Sequence, residues 1–354
     1  KYLEKESRAK YVSDETFERL KCTEIFPGDI LVSRLPEPVG RACIIPNKDE
    51  RMITAVDCTI CRPDEKKICK EYLCYFMQSN AYYTRLLGNV TGTTRKRISR
   101  KNLGNVELNV PPIEVQREIV NRLDRLVCVI ESSQKELQLL DELIKARFVE
   151  MFGDPEFNNM GWKTEILGNL CSVGSSKRIY QNEQSTEGVP FLRISDLVNR
   201  MDTGKLTCDL YIPEQRFDEL LEQELVPEEG DILLTARGTL GRCYIVQSED
   251  KFYFQDGMIS WLSDFSDSIT ALYISCLFEM PGFRKQIDGL QAGSTVAYLS
   301  ISMTKKLLVM LPPIEVQKQF ADFIEQVDKS KVAVQAALDK AQLLFDSLMQ
   351  KYFG

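Results

Sequence analysis

No histidine occurs in the 354 residues. That absence excludes His-based catalytic triads, His general bases and His metal ligands. No apolar run approaches the ~20 residues a membrane-spanning helix needs. Nothing resembles a secretory signal, although the chain opens on Lys1 rather than Met, so the natural start can lie outside it. A Walker phosphate loop is also lacking. So is the Asn/Asp-Pro-Pro-aromatic motif with which amino-methyltransferases hold a target amine. The proline pairs here follow Val110 and Leu311 and precede isoleucines. Asp64, Glu65 and Lys67 are too compressed for a nuclease carboxylate cluster. Catalysis by this chain is disfavoured on all these grounds.

Cysteine, by contrast, is in supply. Eleven are scattered through the chain, which suits a reducing compartment, the cytoplasm, more than a disulfide framework. Cys58-Thr59-Ile60-Cys61, with Cys69 and Cys74, looks superficially like a zinc site. A second copy of this region puts Gly257-Met258-Ile259-Ser260 against the first pair, so buried structural cysteine is expected and no metal. The net charge of −7 argues mildly against nucleic acid. Local distribution, however, decides contact with DNA.

That second copy organises the chain. Pro111-Pro112-Ile113-Glu114-Val115-Gln116 recurs as Pro312-Pro313-Ile314-Glu315-Val316-Gln317, and the offset holds to Phe152-Gly153 and Phe353-Gly354. Segments 111–153 and 312–354 are therefore copies of one element. Proline fits a helix start, where no amide donor is needed. The seam Ile119, Leu123, Leu126, Ile130, Ser133, Leu137, Leu140, Ile144, Arg147, Met151 steps alternately by four and three. So does Phe320, Ile324, Val327, Lys331, Val334, Leu338, Ala341, Phe345, Leu348, Tyr352. This is a heptad repeat, and ~40 residues make a rod of roughly 60 Å. Two related rods in one chain most simply pair antiparallel.

The segments between them repeat as well. Residues 1–110 form one unit: a short helix after Tyr11, strands from Gly28-Asp29-Ile30-Leu31, at Gly40-Arg41 and over 52–61, a helix over 67–87, a basic loop 91–101 and a strand near 105–110. After a Gly- and Pro-containing linker, 154–161, residues 162–311 follow the same order. Tyr211 answers Tyr11, Gly230-Asp231-Ile232-Leu233 answers Gly28 onward, Gly241-Arg242 answers Gly40-Arg41, and Asp256 answers Asp57. The expected fold is α+β: two repeated α/β domains separated by two long antiparallel coiled-coil helices. Residues 162–200 have no partner ahead of Lys1, which leaves truncation, disorder or permutation of the first unit open.

This constellation resembles the specificity subunit of type I restriction–modification systems. The features that carry it are the duplicated Pro-Pro-Ile-Glu-Val-Gln helices, the Phe152-Gly153-Asp154-Pro155 ending, the Gly-Asp-Ile-Leu strands, and the Gly92-Thr93-Thr94 and Gly293-Ser294-Thr295 loops. The resemblance implies a non-catalytic DNA-reading scaffold with two target-recognition domains, each reading half of a split double-stranded site. It implies two methyltransferase subunits that use S-adenosylmethionine to methylate adenine. It also implies restriction subunits using ATP and magnesium. No cofactor is expected in this chain itself, and no membrane.

The residues add their own expectation. Arg95, Lys96, Arg97, Arg100 and Lys101, with Thr93 and Thr94, can contact phosphates, and an Arg can also read guanine. Ser294, Thr295 and Tyr298 stand in the second copy. Arg34, Arg41, Arg237 and Arg242 recur beside glycines after matching strands, and Lys177, Arg178 and Arg193 are further basic candidates. Half-sites about one helical turn, ~34 Å, apart suit such a duplicated reader. Helix pairing is assigned to Ile119, Leu123, Leu126, Ile130, Leu137, Leu140, Ile144, Ile324, Val327, Val334, Leu338 and Phe345. The rivals are a coiled-coil adaptor that reads no DNA, and a catalytic methyltransferase.

Overall fold

The computed structural model describes residues 1–3, 10–36, 38–47, 50–54, 56–88, 90, 97–290 and 297–354. Two compact units emerge. Unit 1 comprises Lys1–Leu137 with Ala333–Gly354, and unit 2 comprises Gln138–Val332. The long helices Ile113–Phe152 and Ile314–Phe353 are each 40 residues.

In each unit the start of one long helix packs on the end of the other, so the pairing is antiparallel. In unit 1, Ile119, Val120 and Leu123 share a core with Phe345, Leu348 and Phe353. In unit 2, Phe320 meets Phe148 and Phe152 edge-on, with ring centres 5.6 and 5.1 Å apart. Every residue of both expected seams is buried or half-buried. The polar interruptions are accommodated: Ser133 is buried, Lys331 pairs with Asp141 at 2.6 Å, and Arg147 lies over the Phe323 ring.

A three-stranded antiparallel sheet anchors unit 1, with Ile30–Ser33 between Ala42–Ile44 and Cys58–Cys61. In unit 2, Ile232–Thr235 lies between Cys243–Ile245 and Ile259–Ser263, and Ser172–Gly174 adds a fourth strand beside Ile259–Ser263. The same turn enters both central strands. Gly28 and Gly230 sit at φ +90 and +89, a region that side chains rarely adopt. The following carboxylates, Asp29 and Asp231, accept from the amides of Phe26 and Glu228 at 3.0 and 2.9 Å.

Several expectations need correction. The helix expected over 67–87 is two, Lys70–Phe76 and Asn80–Leu87, because Ser79 caps the second by accepting from the Tyr82 amide. The strand expected over 52–61 is likewise two, Met52–Ile53 and Cys58–Cys61. Residues 105–110 form no strand. Their counterpart Leu308–Leu311 is a strand only by pairing with Lys163–Ile166, and 105–110 have no such partner among the described residues. The copies also align differently from the sequence reading. Ser33 opposes Cys58 where Thr235 opposes Ile259, so Cys58–Cys61 corresponds to Ile259–Leu262 and Asp57 to Met258.

A repeated joint ties each helix start to its unit. Gln116 is fully buried: its Oε1 accepts from the Cys69 amide at 2.8 Å, and its Nε2 donates to the carbonyls of Lys67 (3.0 Å) and Pro111 (2.7 Å). Gln317 does the same with the Thr270 amide (3.0 Å) and the carbonyls of Ser268 and Pro312 (both 2.9 Å). Beside them the Tyr72 and Tyr273 hydroxyls donate to the carbonyls of Asn109 and Met310, each at 3.1 Å. Removing such a group would leave buried partners unpaired, at about 1–3 kcal/mol each.

Candidate nucleic-acid interface

The candidate surface grows from the far end of each central strand. In unit 1 the Ser33 amide donates to Arg41 O, the Gly40 amide to Ser33 O, the Arg34 amide to Asp57 O, and the Ile98 amide to Arg34 O. In unit 2 the amides of Thr235, Gly241, Ala236 and Leu299 donate to Arg242, Thr235, Met258 and Ala236 in the same pattern. Ile98 and Leu299, shortly after residues 91–96 and 291–296, are thus stitched to matching strand ends. Gly40 and Gly241 make the close approach: a Cβ on Gly40 would lie 2.2 Å from Leu86 Cδ1, and one on Gly241 3.0 Å from Ile287 Cδ1.

Upon this shared base the side chains differ. In unit 1 Asp57 pairs with Arg97 and, at 3.8 Å, with Arg34. Arg41 is exposed, and Arg100 and Lys101 are exposed on a short helix capped by Ser99. In unit 2 Tyr298, Ile301 and Ser302 occupy the places of Arg97, Arg100 and Lys101, after Ser300, which caps in turn. Arg237 lies over the Tyr298 ring, 5.0 Å from its centre. Its backbone bridges Tyr298, so it stands one residue beyond the position of Arg34, which Ala236 occupies.

The other basic candidates, Arg242 at the counterpart of Arg41 among them, are engaged with acids or amides. Arg242 pairs with Asp202 at 2.7 Å, Arg178 with Asp256 at 2.8 Å, and Lys177 reaches Gln223 at 3.3 Å. Arg193 grips Asp196 and also pairs with Asp209. Thr93, Thr94, Arg95, Lys96, Ser294 and Thr295 lie outside the described residues.

The two turn carboxylates also shift in opposite directions. Arg62 meets Asp29 through two bonds, 2.7 and 2.8 Å, and holds its carboxyl below the usual range. Asp231 has the Trp261 indole N–H at 2.7 Å instead, and burial pushes its carboxyl up. Burial likewise raises the Cys74 thiol to about 12. Among the described residues no three Cys, Asp or Glu side chains are placed to hold a metal ion, and no helix is long and apolar enough to cross a membrane.

Asp57, Gln116 and Gln317 stood out in the sequence only as markers of the repeat, not as site or joint residues. A signal for the glutamines was present: the Pro-Pro-Ile-Glu-Val-Gln hexapeptide is identical in both copies while most of the helix that follows drifts.

A duplicated recognition module, built on one skeleton with two different loop surfaces and paired long helices, is the class this architecture defines. The chain belongs to the type I restriction modification DNA specificity domain family, whose profile matches residues 2–142 and 159–341. It is 25% identical over 244 residues to a Haemophilus influenzae protein named as a type I restriction enzyme specificity subunit, covering 68% of this chain and 60% of that one. It is 23% identical to the EcoKI specificity subunit of Escherichia coli, covering 84% of this chain and 67% of that one. Its fold is similar to the crystal structure of a type I restriction–modification S subunit from M. genitalium, with a TM-score of 0.57 at 17% identity, covering 93% and 83% of the two chains.

Proposed function

We propose that this chain is the non-catalytic, DNA-reading subunit of a type I restriction–modification complex. Its domains are assigned as two target-recognition domains, 1–110 and 162–311, on two helical segments, 111–153 and 312–354, with 154–161 as linker. Each domain reads one half of a split duplex site, and the helices hold the spacing between halves. Exposed apolar side chains on the helices, among them Leu139, Leu143, Val332 and Leu343, fit the docking of two methyltransferase subunits. Restriction subunits join that core. S-adenosylmethionine, ATP and magnesium belong to the partners, and the complex works in the cytoplasm.

One observation carries the reading. Identical loop bases present different chemistry: Arg97, Arg100 and Lys101 in unit 1, Arg237 over Tyr298 in unit 2. A scaffold kept while its reading surface varies suits two unlike half-sites. Basic side chains supply phosphate contacts, and hydroxyls and guanidinium groups supply base contacts. We assign the interface to Arg34, Arg41, Arg97, Arg100, Lys101, Arg237 and Tyr298, with residues 91–96 and 291–296. Arg34 and Arg97, held by Asp57, and Lys177, Arg178, Arg193 and Arg242, held by acids or an amide, must give up those partners to contact DNA.

The test is to sequence methylated adenines in cells making this chain with its methyltransferase partner. Methylation confined to a two-part motif with a constant gap is expected. An undivided motif, or none, refutes the reading; intact complex with no sequence-specific DNA binding favours the adaptor.

A further inference from the structure

The joint described above does more than hold the fold. Each unit meets two helix ends in the same way. In unit 1, Gln116 ties the start of the first long helix to the loop before Lys70–Phe76, while the Tyr72 ring meets Phe353 at 5.1 Å. In unit 2, Gln317 ties the start of the second long helix to the loop before Ala271–Glu279, while the Tyr273 ring meets Phe152 at 4.9 Å. Both amides are at most 1% exposed.

An apolar side chain would fill such a site without needing partners. Hydrogen bonds differ from apolar contacts in being directional, weakening steeply away from linearity. Two of the three bonds cross to the domain, to Lys67 and Cys69 or to Ser268 and Thr270, while the third, to Pro111 or Pro312, fixes the amide on its own helix start. The crossing pair is satisfied at one docking angle, whereas apolar surfaces can slide. Around the joint the apolar packing has drifted between copies, with Ile119 for Phe320 and Met349 for Phe148. The directional contacts have not.

We propose that Gln116 and Gln317, assisted by Tyr72 and Tyr273, are positioning residues that hold each reading domain at one angle on its helices and so confine the complex to one spacer length. This rests on the reading of the chain as a two-part DNA reader.

The experiment uses the assembled methyltransferase complex and duplexes carrying the two half-sites at the native spacer and one base pair shorter or longer. Wild type should methylate the native spacer alone. Gln116→Leu and Gln317→Leu should methylate the altered spacers within about tenfold of the native one, the scale of losing one buried group's partners. The half-site sequences should stay unchanged. A lower Tm with the spacer still strict makes the glutamines ordinary fold contacts and overturns the proposal. Wild type acting on no split, fixed-spacer target sinks the two-part reading itself, a different outcome. Where the Leu variants do not fold, Tyr72→Phe and Tyr273→Phe, each removing one hydroxyl, carry the same comparison: relaxed spacing supports the proposal and strict spacing overturns it.

Discussion

Unit 1 and unit 2 share a turn, a central strand, a helix pair and a joint, yet differ in how the sheet is flanked and in what the loops offer. Unit 2 adds Lys163–Ile166 beside Leu308–Leu311 and Ser172–Gly174 beside Ile259–Ser263. It also carries a second small sheet of Val189–Leu192, Tyr211–Ile212 and Tyr253–Phe254. Unit 1 lacks these flanking strands among its described residues. The comparison teaches that the module's common core is the strand trio and the helix joint. Those parts recur position for position, while their apolar side chains, the edge strands and the strand-end side chains vary.

The largest expected effect probes the shared core. Phe152→Ala should cost about 3–5 kcal/mol of local stability, and Phe353→Ala somewhat less. Phe152 has Phe148, Tyr273 and Phe320 around it, while Phe353 has the rings of Tyr72 and Phe76. Native-state hydrogen exchange of each unit measures this. Equal protection in wild type and both variants breaks the claim that the joint is common.

The glycines at the loop bases come next. Gly40→Ala should lose about 2–3 kcal/mol and Gly241→Ala about 1 kcal/mol, since both add left-handed strain but only the first drives a methyl into a buried leucine. Urea denaturation of the two variants ranks them, and a reversed order contradicts the structural equivalence of the strand ends.

DNA affinity sharpens the contrast between surfaces. Replacing Arg97, Arg100 and Lys101 with the Tyr, Ile and Ser found in unit 2 should flatten the dependence of log affinity on log salt by about 0.9 for each phosphate no longer neutralised. Tyr298→Ala should leave that slope alone and weaken discrimination of one half-site. An unchanged slope in the triple variant removes these side chains from the phosphate-binding set.

The smallest effect concerns pH. Asp29, held below the ordinary carboxyl range by Arg62, contributes stability above about pH 4 that is lost as pH falls through its lowered value. Asp231 is raised by burial, so its contribution is present below the ordinary value and is lost as pH rises through the raised one. Asp29→Asn should therefore soften the acid-induced loss of stability, and Asp231→Asn should steepen it. Denaturant titrations between about pH 3 and about pH 7 decide the signs.

The sequence by itself determined the duplicated helices and their apolar seams, because a four–three apolar spacing is a local property of one helix face. The contacts of each helix start with the other's end decided that they pair antiparallel. It also determined the Gly-Asp turns, since the backbone angle there favours glycine at Gly28 and Gly230. Strand register was not legible. Cys58–Cys61 pairs two residues away from the expected alignment, and a period-two pattern looks the same after such a slip. Nor was the state of 105–110, whose strand character depends on a partner that the segment does not itself encode. Tertiary structure alone brought Gln116 to Lys67 and Cys69, and Asp57 to Arg34 and Arg97. A polar side chain declares its partners only once the chain has folded around it, because burial is what makes those partners necessary.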